Sequence, residues 1–199
     1  MPDYRHLLPE PPQLDYPGAW ARSSIEPLNP MDGRIAALQE AHADYLKMAA
    51  GEWTLRLHPG VSDYLTRNVL DETTFFSDFF VHPAVTERLG EEVGRLRPEG
   101  VSGSPLGFKR ERSWIMTARL ASLLSTGAIY SPRGLSDRKV ISLVGRFAQA
   151  AFRTSFSEAA CHFSSENWSD WFDGYRNYSF TWIDLRRGRI TVVLVSDSD

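Results

Sequence analysis

Aromatic and acidic side chains are interleaved between positions 163 and 182, and this stretch has the clearest potential for contact with a partner. Eight of the chain's 24 aromatic residues lie within it, namely Phe163, Trp168, Trp171, Phe172, Tyr175, Tyr178, Phe180 and Trp182. Exposed Trp and Tyr side chains dominate many protein–protein interfaces, and acidic neighbours attract basic partners while they repel phosphates. We therefore predict a surface that binds a basic protein. Its anchors would be Trp168, Trp171 and Tyr175, and its steering charges would be Glu166, Asp170 and Asp173.

The same aromatic run would also suit an interior position, because large rings fill the core of a small sheet. The sequence leaves open whether Trp168 and Trp171 are exposed or buried. The three acids recur at i, i+4 and i+7, so a helix would place them on one side. Carboxylate clusters can hold hard cations or act in glycoside hydrolysis. With no calcium-loop motif present, we predict a solvated or partner-facing acidic face with no metal and no cofactor.

The single cysteine offers a second kind of chemistry. Cys161 and His162 are neighbours, so in a strand their side chains point to opposite faces and cannot form a dyad. A nucleophilic Cys161 would need His42, His58 or His82 from elsewhere in the chain. A small hydrolase or transferase, built on Cys161 or on the carboxylates, is therefore the alternative to a binding module. A buried, inert cysteine is the commoner case.

Charge is unevenly distributed along the chain. Residues 95–153 carry 11 basic and 3 acidic side chains, whereas residues 1–94 carry 7 basic and 15 acidic ones. A basic block can bind nucleic acid or nucleotides, here through Lys109, Arg110, Arg112, Arg133, Arg138 and Lys139. Because the chain as a whole has a net charge of −3, we favour pairing of this block with the acidic first half over binding to nucleic acid.

Composition excludes several classes of protein. The 199 residues favour one domain, and the single cysteine excludes a disulfide framework. No apolar run reaches the roughly 18 residues of a membrane helix, and the first residues lack the apolar core of a signal peptide. We therefore expect a cytoplasmic protein with no membrane contact.

The spacing of prolines and apolar residues predicts the elements. Seven of the 12 prolines lie within residues 1–30, which predicts an extended arm followed by a single domain over residues 31–199. Apolar residues at helical spacing predict helices over residues 31–50, 61–68, 71–81, 83–96, 111–125 and 136–151. Gly51 would end the first of these, and Phe75, Phe76, Phe79 and Phe80 would form the core face of the third.

The last 40 residues change character. Residues 177–185 and 190–195 have strand composition, and Gly188 suits the turn of a hairpin between them. Residues 156–163 are the candidate third strand. The predicted fold is α+β, with a helical N-terminal two-thirds packed on a small C-terminal antiparallel sheet that ends in a β-hairpin.

These observations favour a non-catalytic protein-binding module. In its mildly acidic, aromatic-rich composition the chain is similar to bacterial immunity proteins, which neutralise a basic toxin domain by covering its active site. No motif carries this similarity, which is one of composition. It implies an inhibitor that acts by occlusion.

Overall fold

The computed structural model describes residues 15–40, 46–67, 72–97, 106–127, 135–152 and 160–197. Within these residues the helices are α1 Tyr16–Ala21, α2 Gly33–Glu40, α3 Pro59–Arg67, α4 Glu72–Val81, α5 Pro83–Leu89, α6 Ser113–Thr126 and α7 Asp137–Phe152. A short 3-10 helix spans Glu91–Gly94. The strands are β1 Ser24–Pro27, β2 Lys47–Arg56, β3 Lys109–Glu111, β4 Ala160–Ser164, β5 Arg176–Asp184 and β6 Arg189–Asp197.

All six strands form one antiparallel sheet in the order β1-β2-β6-β5-β4-β3. The predicted fold, a helical N-terminal two-thirds on a small C-terminal sheet, is wrong. Half of the strands precede residue 112, so strands and helices are interleaved along the chain. The C-terminal hairpin is present, with Arg176 opposite Asp197 and Asp184 opposite Arg189. It forms the middle of the sheet because β2 pairs with β6 along eight residue pairs.

The helix predicted over residues 31–50 is wrong in its second half. α2 ends at Glu40, and residues 47–56 form β2 between β1 and β6. Gly51, which we predicted to end the helix, lies inside this strand. A Cβ at Gly51 would overlap the indole of Trp53, so the glycine makes room for that ring. Residues 47–56 pair with β1 on one side and with β6 on the other, and this pairing outweighs the helical spacing of their apolar side chains. The preference of a segment for the β conformation depends on the strands beside it.

Several other helices lie close to their predicted positions. α6 and α7 span residues 113–126 and 137–152, and α4 spans residues 72–81. The four phenylalanines of α4 are fully buried, as predicted for a core face. The helix predicted over residues 83–96 is shorter, because the chain leaves α5 at Gly90 with a φ of 104°. Glycine adopts this backbone conformation without the steric strain that a side chain would cause.

Apolar side chains cover both faces of the sheet. The first core lies on the face that carries α1, α3, α4 and α5, and its largest members are Trp53, Phe75, Phe76, Phe79, Phe80, Trp168, Trp171 and Phe172. The second core lies on the face that carries α2, α6 and α7, and it includes Phe147, Cys161, Phe180 and Trp182. The hairpin is therefore buried on both faces, whereas the sequence predicted a half-buried ribbon.

Residues 15–30 are the described part of the predicted N-terminal arm. They contain α1, whose first turn is capped by the Asp15 carboxylate, and β1, which pairs with β2. Trp20 of α1 packs edge-on against Phe75 with 5.7 Å between ring centroids. These contacts place residues 15–30 against the sheet and α4. The division into an arm and one domain stays a prediction.

The cap of α5 predicts a pH dependence of stability. His82 Nδ1 accepts a hydrogen bond from the Ala84 N–H at 3.2 Å, and burial lowers the pKa of this imidazole below its ordinary value of 6.5. The unfolded chain therefore takes up the proton at a higher pH than the folded protein. The contribution of neutral His82 to stability is complete at pH values above its ordinary pKa. It is lost as the pH falls through the lower pKa that His82 has in the folded protein.

The free energy of unfolding of the wild type should fall between about pH 7.5 and about pH 5.5. We expect this fall, measured by urea unfolding, to be smaller for His82→Ser, because serine caps a helix without titrating. If the free energy of unfolding of His82→Ser fell between the two pH values as much as that of the wild type does, this assignment would be contradicted. His82→Ala, which removes the cap, separates the pH effect from a general loss of stability.

Candidate functional site

Residues 165–175, which we call the aromatic loop, carry all six predicted site residues. None of the loop is helical, so the helix that would align Glu166, Asp170 and Asp173 does not form. Trp168 is 1% exposed and Trp171 is 5% exposed. The two tryptophans are therefore core residues of this fold and are not available as exposed anchors.

Trp168 attaches the aromatic loop to the sheet. Its Nε1–H donates a hydrogen bond of 2.9 Å to Ser179 Oγ of β5, and both residues are buried. Its ring lies 4.4 Å from the ring centroid of Phe80 and 5.1 Å from that of Phe172. A buried indole whose N–H is hydrogen-bonded adds apolar contact without an unsatisfied donor. The loop is thus held in place by its own aromatic side chains.

Trp171 and Lys47 form the second attachment of the loop. The Lys47 ammonium lies 4.8 Å from the Trp171 ring centroid and donates a hydrogen bond of 2.6 Å to the Trp171 carbonyl oxygen. The same ammonium reaches Asp173 Oδ2 at 3.3 Å and Glu92 Oε2 at 3.8 Å. A cation over an indole and beside two carboxylates fixes this end of the loop on β2.

The three acids do not form one cluster. Asp170 and Asp173 are exposed, and Arg97 joins their part of the loop by contacts with Asp170 Oδ1 at 3.3 Å and with the Phe172 carbonyl oxygen at 3.4 Å. Glu166 is partly buried, and its side chain occupies the space beside Gly107. The contacts described for the loop join Glu166 to neither aspartate. The surface therefore presents two acidic residues, Asp170 and Asp173, each beside a cationic side chain.

Tyr175 is the predicted site residue whose aromatic ring is presented to solvent. Its side chain is 75% exposed. The backbone beneath it is fixed, because the Tyr175 N–H donates to the Asp197 carbonyl oxygen at 2.9 Å and the Gly174 N–H donates to Ser196 Oγ at 3.0 Å. A Cβ at Gly174 would overlap the backbone of Asp197, so only glycine allows this close approach. The Asp-Gly-Tyr sequence is the signal that could have identified this turn.

The structure separates Cys161 from His58 and His82, two of the histidines considered with it, because these lie at the starts of α3 and α5 on the other face of the sheet. Cys161 lies in the second core opposite Trp182, and burial raises the pKa of its thiol to about 12. His58 Nδ1 accepts a hydrogen bond from Gly60 at the start of α3, and His82 caps α5. His42 lies outside the described residues. A thiol held protonated at neutral pH is a poor nucleophile.

The basic residues of the 95–153 segment lie in different parts of the fold. Arg97 contacts Asp170, and Arg119 contacts Glu111 at 3.3 Å. Lys109, Arg110 and Arg112 are exposed at and beside β3, which is an edge strand, and Arg138 and Lys139 are exposed at the start of α7. Arg133 lies outside the described residues. The nucleic-acid interpretation of this segment stays a prediction.

Neither the protein-family models nor the curated proteins with which the sequence was compared give a match. By its fold, the described chain is a mixed α+β protein whose antiparallel sheet lies between two layers of helices. No helix in the described ranges is long and apolar enough to cross a membrane. In the same ranges, no three His, Cys, Asp or Glu side chains are grouped so that they could hold a metal ion.

The different burial of the loop's aromatic residues predicts different effects on stability. We expect Trp168→Ala to lower the free energy of unfolding by about 3–5 kcal/mol, because it leaves a large cavity in the first core and orphans the Ser179 hydroxyl. We expect Tyr175→Ala to change it by no more than about 0.5 kcal/mol. Urea unfolding followed by far-UV circular dichroism measures both. Similar losses for the two variants would show that the assignment of core and surface is incorrect.

The burial of Cys161 predicts slow modification of the native protein. At about pH 8 the thiol stays protonated, because its pKa is raised, and the second core excludes the reagent. We expect a disulfide-exchange reagent to label Cys161 much more slowly in the native state than in denaturant. Rapid labelling of native protein, at the rate seen in denaturant, would contradict a buried and inert thiol.

Proposed function

We propose that the protein is a non-catalytic binding module that docks on another protein through Tyr175 and the neighbouring acids Asp170 and Asp173. The observation that carries this proposal is the exposed Tyr175 ring on a turn that backbone hydrogen bonds fix to β6. Trp168 and Trp171 support the surface from inside, so the proposal gives them no contact with the partner.

Rigidity of the aromatic loop supports this proposal. Binding costs less conformational entropy when the contacting side chain sits on a backbone that is already ordered. Tyrosine adds a large contact area with only two side-chain torsions, and it is enriched among interface residues that dominate binding energy. Tyr175 has both advantages, because its turn is fixed by hydrogen bonds to Ser196 and Asp197.

The charges around Tyr175 favour a partner with a basic surface. Glu92, Asp170 and Asp173 are exposed in this region, with Lys47 and Arg97 between them. The contacts of Arg97 with Asp170 and of Lys47 with Asp173 are single, partly exposed ones of 3.3 Å. Ion pairs of this kind contribute little stability, so the carboxylates can exchange them for contacts with a partner.

The finer form of the proposal is an immunity-type inhibitor that occludes the active site of a basic toxin or enzyme domain. The similarity to immunity proteins in composition supports this form, and it requires that Tyr175 lie at the centre of the contact. The cytoplasmic location expected from the sequence belongs to the same proposal, since a reducing compartment suits a chain whose single cysteine has no second cysteine with which to form a disulfide.

The experiment that tests the proposal compares three immobilised proteins: the wild type, Tyr175→Ala and Trp114→Ala. Trp114 is a matched control because its side chain is 60% exposed and it lies at the opposite end of α6 from Gly127, which Arg176 contacts. Retained proteins are identified by mass spectrometry, and the dissociation constant is then measured with the purified partner. We expect Tyr175→Ala to weaken binding by about thirtyfold, which corresponds to about 2 kcal/mol.

A retained protein supports the proposal only if it is basic, binds Trp114→Ala as it binds the wild type and is lost with Tyr175→Ala. Equal retention by all three proteins, or loss with Trp114→Ala alone, would overturn the proposal. The double variant Asp170→Asn, Asp173→Asn should mainly slow association and flatten its salt dependence, because exposed charges act on the encounter rate.

A further inference from the structure

A cavity of about 260 Å³ lies between α6 and the sheet, on the face of the second core. The helix contributes Arg119, Ser122 and Thr126, which share one helical face at i, i+3 and i+7. The strands contribute Phe163 of β4 and the alternate β5 residues Arg176, Tyr178 and Phe180. The aromatic loop does not line this cavity, so it is independent of the surface proposed for protein binding.

The two arginines lie at opposite ends of the cavity. Arg176 Nη2 donates to the Gly127 carbonyl oxygen at 3.1 Å, which places it at the C-terminal end of α6. The Arg119 guanidinium lies 4.8 Å from the Phe163 ring centroid. Arg119 is about two helical turns from Gly127 along α6. Guanidinium groups bind planar carboxylates through parallel hydrogen bonds, so the two arginines are the candidate anion-binding groups of the cavity.

The arginines differ in how fully their donors are used. Arg176 donates twice to Asp197 Oδ2, at 2.9 and 2.7 Å, and Asp197 is buried. Arg119 makes one hydrogen bond of 3.3 Å to Glu111, which is its only such partner among the described residues, and its side chain is half exposed. Both arginines are therefore paired with a carboxylate, but a ligand carboxylate can replace the single, half-exposed contact of Arg119 more easily than the double hydrogen bond of Arg176.

Aromatic side chains form the sheet side of the cavity. Phe163 and Tyr178 stack with their ring centroids 6.0 Å apart, and Phe163 packs against Phe180 at 5.3 Å. The Arg119 guanidinium already covers Phe163, so Tyr178 is the ring left for an aromatic ligand. Stacked or edge-on aromatic contacts add to the free energy of burial.

We propose that this cavity binds a small aromatic carboxylate, with its ring against Tyr178 and its carboxylate at Arg119. The volume suits a ligand of one or two rings, since it lies near the lower end of small-molecule sites. The hydroxyls of Ser122 and Thr126 line the helix side, where they can contact a polar ring substituent. One guanidinium and an aromatic wall select for a planar monoanion over a neutral or saturated molecule.

The experiment uses benzoate and naphthoate as probes, with benzamide and cyclohexanecarboxylate as controls for charge and planarity. Binding to the full chain is measured by isothermal titration calorimetry at millimolar ligand. We expect both aromatic carboxylates to bind, and we expect Arg119→Met to weaken their binding by about tenfold or more, because a charge-assisted hydrogen bond is lost. Arg138→Met, an exposed arginine on α7, is the matched control and should bind as the wild type does.

A second variant protects the test against misfolding of the first. Ser122→Phe places a ring into the cavity from an exposed helical position, so it should abolish binding while thermal unfolding stays close to that of the wild type. No binding of either aromatic carboxylate to the wild type would overturn the proposal. Equal binding of benzamide or cyclohexanecarboxylate, or full retention of binding by Ser122→Phe, would also overturn it.

Discussion

Apolar side chains cover both faces of the six-stranded sheet, and this two-sided burial constrains most of the structure. β6 lies between β2 and β5, with Ile190, Val192 and Leu194 in the first core and Val193 and Val195 in the second. Because β6 is buried on both faces, residues 192–195 form a continuous apolar run and are not apolar only at alternate positions. The helices that cover the two faces come from separate parts of the chain, so the sheet brings the N-terminal and C-terminal regions together.

β5 satisfies the same constraint in a different way from β6. Its second-core face carries large rings, whereas its first-core face carries Ser179 and Thr181, which are both fully buried. Trp168 contacts Ser179, since its indole N–H is paired with the Ser179 hydroxyl. Because the pair satisfies the polar groups of both residues, the loop can be buried on the sheet without an unpaired donor. The exposed residues of the aromatic loop, Asp170, Asp173 and Tyr175, are then carried on a backbone that is held in place.

The two proposed binding regions both depend on the end of the sheet where Arg176 pairs with Asp197. Tyr175 and Arg176 are consecutive, yet the Tyr175 ring faces solvent while the Arg176 guanidinium reaches under α6 to Gly127 and Asp197. Pairing of β5 with β6 fixes the direction of Arg176, and the hydrogen bond from the Tyr175 N–H to the Asp197 carbonyl oxygen fixes the backbone of Tyr175 just before the strand begins. The pairing of residues 175 and 176 with Asp197 therefore positions both the proposed protein-binding surface and the cavity, although the two would bind different partners.

The sequence by itself determined the elements whose pattern is local. α4, α6, α7 and the hairpin of β5 and β6 lie near their predicted positions, because helical spacing and strand composition specify them without help from distant residues. Only the tertiary structure decided the fate of residues 47–56 and of Trp168 and Trp171. β2 is a strand because β1 and β6 pair with it. Trp168 is buried because Phe80 of α4 and Ser179 of β5 contact it, and Trp171 packs against Phe172 and under the Lys47 ammonium. Burial of a ring depends on residues far away in the sequence, so composition alone could not separate an interface from a core.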